Sequence, residues 1–222
     1  MKVKKLKTFD EYLAYIQTLP GGTFYRGVED KSFELIPSIG RKNIDERPIN
    51  EIEKILIKRF KNEAVPFLNQ IPENDYELLT IAQHHGLPTR LLDWTRSPLV
   101  ALYFATENHI KESDFAVYIT PTNVRTIEDI TGKPPIDGLD DVYMYPPKHL
   151  TRRVSAQSGF FSIHPNPTTP WQHPEITKII MPCSIKEAIK NTLSISGINA
   201  ATIFPDLDGL TKSLKFEYGF WE

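Results

Sequence analysis

Ser97-Pro98-Leu99-Val100-Ala101-Leu102-Tyr103-Phe104-Ala105 carries the clearest structural signal in the chain. A serine that can accept from backbone N–H groups precedes a proline at the first helical position, where the missing N–H costs nothing. The residues that follow are apolar nearly all round, so the pattern predicts a central helix buried on every side. Upstream of it the chain reads as helical. Thr8-Phe9-Asp10-Glu11 is a capping-box pattern opening a helix to Leu19, which Pro20-Gly21-Gly22 stops. Thr23 to Val28 reads as a short strand ending near a glycine. A second helix starts near Asn50 with Glu53 completing its cap, and Ile52, Ile55, Leu56 and Phe60 recur at helical spacing. A third runs from about Asp75 to His84, capped by Asn74.

Downstream of the central helix the character changes. Phe115–Ile119, Val142–Tyr145, Gly159–Ile163 and Ile176–Ile180 read as strands between proline-rich breaks. Pro165 to Pro174 is a loop rather than a domain linker, and Ser184 to Leu193 is a helix with Ser184 and Glu187 as its capping box. Helices first and strands later predict an α+β fold: a mixed or antiparallel sheet with N-terminal helices packed on it. One domain is expected across residues 1–222, with its core at about 23–214 and the helix at about 8–19 as an appendage.

The 222 residues include 26 basic and 28 acidic ones, 40% hydrophobic and 24% charged. That mixture excludes collagen-like, coiled-coil and disordered chains, and its near-zero net charge provides no global field for polyanions. Eighteen prolines against eleven glycines point to many short elements with stiff connections. Cys183 is the only cysteine, so no disulfide framework exists. It is expected to be a buried structural thiol, in a cytoplasmic protein without a membrane span. No Cys/His spacing suits a structural zinc, and no metal is expected.

Function concentrates in Gln83-His84-His85-Gly86-Leu87-Pro88-Thr89-Arg90-Leu91-Leu92-Asp93-Trp94-Thr95-Arg96-Ser97. Polar, titratable and aromatic residues crowd a short connection between two helices, a place where binding and catalytic groups gather. The structural alternative is that Asp93, Thr95 and Ser97 cap the buried helix while Arg90 pairs with Asp93. Adjacent His84 and His85 cannot share a helix face, so one is expected in the fold and the other toward a cleft. Asp206 and Asp208 alternate in a Pro-Asp-Leu-Asp-Gly turn and could serve a metal or acid–base role, or bond their own backbone.

Tyr25-Arg26-Gly27, then Ala82 to Thr95 running into Ser97 to Ala105, resembles the FRG domain family, named for an aromatic-Arg-Gly motif. Arg153-Val154-Ser155-Ala156-Gln157-Ser158-Gly159-Phe160-Phe161 and Ile203-Phe204-Pro205-Asp206-Leu207-Asp208-Gly209-Leu210 fit the same pattern. That resemblance implies a bacterial or phage protein in a toxin or defence setting. A weaker similarity, of Tyr25-Arg26-Gly27 and the Thr95/Ser97 element, is to arginine-type ADP-ribosyltransferases. It implies NAD as substrate, a macromolecule or water as acceptor, Arg26 on the pyrophosphate, and Thr95 and Ser97 bracing the nicotinamide pocket. The glutamate of that superfamily's third motif has no clear match; Gln157 and Glu217 are the candidates.

The residues expected to do chemistry are thus Arg26, His85, Asp93 and Gln157. Tyr25, Arg26, Gly27, Gln83, His84, Thr89, Arg90, Trp94, Thr95 and Ser97 are expected to hold the nucleotide. Arg153, Asp206, Asp208 and Glu217 are further candidates. Two other readings stay open at this point. One is a non-catalytic nucleotide- or nucleic-acid-binding module using the basic run Arg41, Lys42, Arg47, Lys54, Lys58, Arg59 and Lys61. The other is a metal-dependent phosphodiesterase or nuclease using Asp93, Asp206 and Asp208 with a histidine.

Overall fold

A computed structural model of the chain describes residues 1–41, 46–68, 70–107, 112–120, 124–126, 132–147 and 156–220. Its centre is a sheet of seven strands: β1 (Lys2–Lys5), β2 (Tyr25–Val28), β3 (Leu91–Thr95), β4 (Phe115–Ile119), β5 (Tyr143–Tyr145), β6 (Gly159–Ile163) and β7 (Thr177–Met181). They lie in the order β1-β7-β4-β2-β3-β6-β5. β1 runs parallel to β7, and the other neighbours are antiparallel. The fold is α+β with a mixed sheet, as the order of elements predicts.

Four described helices precede the strand-rich half or sit at its start: α1 (Phe9–Ile16), α2 (Ile49–Glu63), α3 (Asp75–His84) and α4 (Pro98–Ala105). Three follow β7: α5 (Lys186–Ile195), α6 (Ala200–Ile203) and α7 (Leu207–Glu217). The caps of α1, α3 and α4 form as expected, with the side chains of Thr8, Asn74 and Ser97 accepting from backbone N–H groups three residues on. Two caps do not. Pro48 precedes α2 without a side-chain bond, and Glu53 turns inward instead, because its carboxylate is needed against Arg90. Residues Cys183–Ile185 form a tight turn of 3-10 helix that takes Ser184 out of the capping position of α5. Cys183 is half-buried rather than buried.

The helices lie on one face of the sheet in two groups. α1, α4 and α5 cover β2, β4 and β7, where Tyr12, Leu102, Phe115, Val117 and Ile179 pack together. Tyr12, on the helix expected as an appendage, is fully buried there and donates to the Pro98 carbonyl at 2.9 Å. α2 and α3 cover β5, β6 and the start of β3 through Ile57, Leu79, Leu91, Tyr145 and Ile163. The opposite face is covered by irregular chain, with Leu35 and Trp171 packed against Leu92, Trp94 and Tyr118.

The two strands that the sequence pattern hides have physical reasons for being hidden. β1 is an edge strand rich in lysine, a composition that discourages pairing with other chains and masks the strand signal. β3 sits inside the sheet with every residue but Asp93 buried, so Leu91-Leu92-Asp93-Trp94-Thr95 lacks a clean alternation of apolar and polar residues.

Candidate functional site

β2 and β3 share a single paired position, Tyr25 with Thr95. Beyond it the strands part, and a cleft of about 750 Å³ runs through the split, lined from both faces of the sheet. The helical side contributes the last turn of α3, the end of α4 and the turn before β6. The other side contributes the chain from Glu29 to Arg41.

Arg26 fills the split. Its Nη1 donates to the Asp93 carbonyl at 2.6 Å, taking over a bond that a strand partner would otherwise make. The same nitrogen stands 3.5 Å from Asp93 Oδ2, and Nε is buried without a hydrogen-bond partner. Burial pulls the Arg26 pKa down against the attraction of Asp93, with Arg41 adding to the depression.

Gly27 has a different task from the one the sequence suggests. A Cβ there would overlap the carbonyl oxygen of Ala101 and stand 2.8 Å from the Ala105 nitrogen. The glycine therefore admits the backbone of α4 rather than a ligand, and the central helix rests directly on β2.

Asp93 interrupts an otherwise buried strand and opens into the cleft. Gln83 Nε2 donates to its Oδ1 at 3.0 Å. The sense of the Gln83 amide is set by Thr89, whose hydroxyl donates to Gln83 Oε1 while accepting from the Leu91 N–H at 3.2 Å. α3 ends to make this possible. Gly86 takes φ 85°, Gly86 N–H donates to the Gln83 carbonyl and Leu87 N–H to the Ala82 carbonyl, a glycine-terminated helix end.

The expected residues divide sharply. Tyr25, Arg26, Gly27, Gln83, His84, Asp93, Trp94, Thr95 and Gln157 line the cleft together. Thr95 donates to the Gln157 carbonyl at 2.7 Å and accepts from Ser97 N–H, while Gln157 Nε2 donates to the Ile203 carbonyl. Both are braces. His84 faces the cleft, whereas His85 is exposed at the end of α3 and outside the lining. Thr89 and Ser97 also lie outside it, the first buried under Gln83, the second capping α4.

Arg90 is fully buried and cannot meet a nucleotide. Its partner is Glu53 rather than Asp93, with Nη2 2.7 Å and Nε 2.8 Å from Glu53 Oε2. Arg90 also donates to Asn50 and to the carbonyls of Pro135, His164 and Pro165. Burial raises the Glu53 pKa in spite of Arg90.

Arg153 lies outside the described residues. Asp206 caps α7 by accepting from the Gly209 N–H at 2.8 Å. Asp206, Asp208 and Glu217 are exposed on α7, away from the cleft. Among the described residues, no group of three His, Cys, Asp or Glu is placed to hold a metal ion. None of the described helices is long and apolar enough to cross a membrane. On the basic run, Lys54 pairs with Asp137, Arg59 with Glu63 and Lys61 with Asp75, while Arg41 turns up in the cleft and Lys42 is outside the described residues.

Sequence reasoning missed several lining residues, among them Glu29, Glu34, Phe104, Glu107 and Phe161. The first two had no signal at all, since irregular chain carries no periodicity. Phe104 and Phe161 read as core positions, the first near the end of α4 and the second in the middle of β6, paired with Asp93. Glu107 follows α4 and is held by Lys212 and by the Tyr103 hydroxyl.

The class this defines is an α+β protein whose sheet divides around an arginine–aspartate pair. Residues 22–114 match the family model of the FRG domain. The matched region holds the α1–β2 connection through α4, and with it Arg26, Gln83, Asp93 and Thr95. No curated protein and no solved structure matches the chain.

Proposed function

We propose that the cleft binds NAD and that the protein is an ADP-ribosyltransferase-like or NAD-glycohydrolase-like enzyme. The observation that carries this reading is the seat of Arg26. Its planar, permanently charged fork is anchored by one nitrogen at the base of a deep cleft and leaves Nε unpartnered. Such a group suits the paired oxygens of a diphosphate. The cleft volume falls among those of small-molecule sites. Phe104 and Phe161 supply apolar lining for a planar base, and Arg41 adds a second cation. Thr95, with its hydroxyl engaged on both sides, suits the bracing role that the transferase resemblance implies. The acceptor is water or a macromolecule, and the setting is a bacterial or phage toxin or defence enzyme acting in the cytoplasm.

Purified protein incubated with NAD should release nicotinamide. Arg26→Ala should lower that release by about 100-fold or more, and Arg26→Lys, which keeps the charge but not the fork, should recover only part of it. Expression in cells should deplete NAD and arrest growth, and the Arg26→Ala protein should do neither. Wild-type protein that neither binds nor consumes NAD, with macromolecular acceptors supplied, would defeat the reading.

A further inference from the structure

We propose that Asp93 is the carboxylate that faces the ribose as its positive charge develops, and that Gln83 is the residue that positions it. This rests on the NAD reading. Leu92 and Trp94 on either side of Asp93 are buried, yet the Asp93 side chain is 64% exposed. The exposure arises because the two helix groups leave the β2–β3 split uncovered. Both carboxylate oxygens are steadied, Oδ1 by Gln83 at 3.0 Å and Oδ2 by Arg26 at 3.5 Å, and each has a further lone pair for a ligand.

The steadying is itself held from behind. Thr89 is buried, receives the Leu91 N–H, and donates to Gln83 Oε1, so the amide nitrogen has one direction left and Asp93 occupies it. Every link stands on α3, β3 or the tight connection between them. Preorganised charge of this kind is what a site needs when positive charge appears during reaction.

Three other candidates fit the role less well. Glu107 is only 18% exposed and is engaged by Lys212. Gln157 is uncharged and spends its amide on Ile203, and Glu217 is outside the cleft. In the reaction, the bond between ribose C1′ and the nicotinamide nitrogen breaks, and its electron pair leaves on nitrogen. The cationic ring departs as neutral nicotinamide. C1′ bears the positive charge opposite Asp93 until a water oxygen bonds to it, and that water's proton passes to solvent.

Asp93→Asn removes the charge and keeps the shape. The Arg26 anchor survives because it is the backbone carbonyl of Asp93. For Asp93→Asn, NAD affinity measured by calorimetry should stay within about threefold of wild type while kcat for nicotinamide release falls about 100-fold or more. Asp93→Glu should restore part of that kcat. Gln83→Ala should lower kcat between about 10- and 100-fold at unchanged KM, as expected when a reacting group is displaced and ground-state binding is kept. Undiminished kcat in Asp93→Asn, or a loss confined to KM, overturns the assignment while leaving the NAD reading in place. Unchanged kcat in Gln83→Ala overturns its positioning role. Wild-type protein that neither binds nor cleaves NAD overturns both the assignment and the reading beneath it.

Discussion

Two residues beside the cleft illustrate how far a side chain's task can lie from its motif. Gly27 belongs to the Tyr25-Arg26-Gly27 motif, yet the atom it lacks would collide with the α4 backbone. Gly27→Ala should therefore destabilise the fold by about 3 kcal/mol, seen as a lower urea midpoint, because neither β2 nor α4 can shift without disturbing the sheet. Arg90 belongs to the polar run and is wholly enclosed with Glu53. Removing one partner leaves a buried charge uncompensated, so Glu53→Gln should cost about 3–5 kcal/mol by denaturant unfolding. A glycine in an Arg-Gly pair and an arginine in a polar run both look like ligand contacts in one dimension. What separates them from Arg26 and Asp93 is which strand face and which gap they meet.

At the level of elements, the helices were legible wherever their signals are local. Thr8, Asn74 and Ser97 cap α1, α3 and α4 with side chains that need only a few residues of chain. Ser97→Ala should cost about 1 kcal/mol in an unfolding titration, with the α4 N–H groups losing their acceptor. The elements without a local signal depend on remote partners. β1 exists because β7 offers it an edge, and Glu53 leaves a capping position because Arg90 lies across the fold. The candidate site follows the same division. Its stretch from Gln83 to Ser97 stands out by composition, whereas Glu29, Glu34 and Glu107 join it only through folding.

Across the whole molecule, one buried group links stability to pH. The Trp94 indole donates to Ser162 Oγ at 2.8 Å, and the same oxygen is hydrogen-bonded to His164 Nε2, also at 2.8 Å. Burial, aided by Arg26 and Arg90, lowers the His164 pKa to about 3. An unfolded histidine titrates near ~6.5. Between those values the unfolded chain binds a proton that the folded chain refuses. Stability is therefore full above about pH 6.5 and falls as pH drops toward about 3. The urea midpoint should decline over that window in wild type and decline less in His164→Gln; equal slopes would remove His164 from the account. The sequence by itself determined the α+β class, the buried α4 and the crowding of polar residues before it, because caps, periodicity and composition act over a few neighbours. Tertiary structure alone decided that β3 lies beside β2, that the two strands part after one pair, and that Arg26 and Asp93 meet in the gap. Those outcomes depend on strand order and register, which arise from packing between residues far apart in the chain.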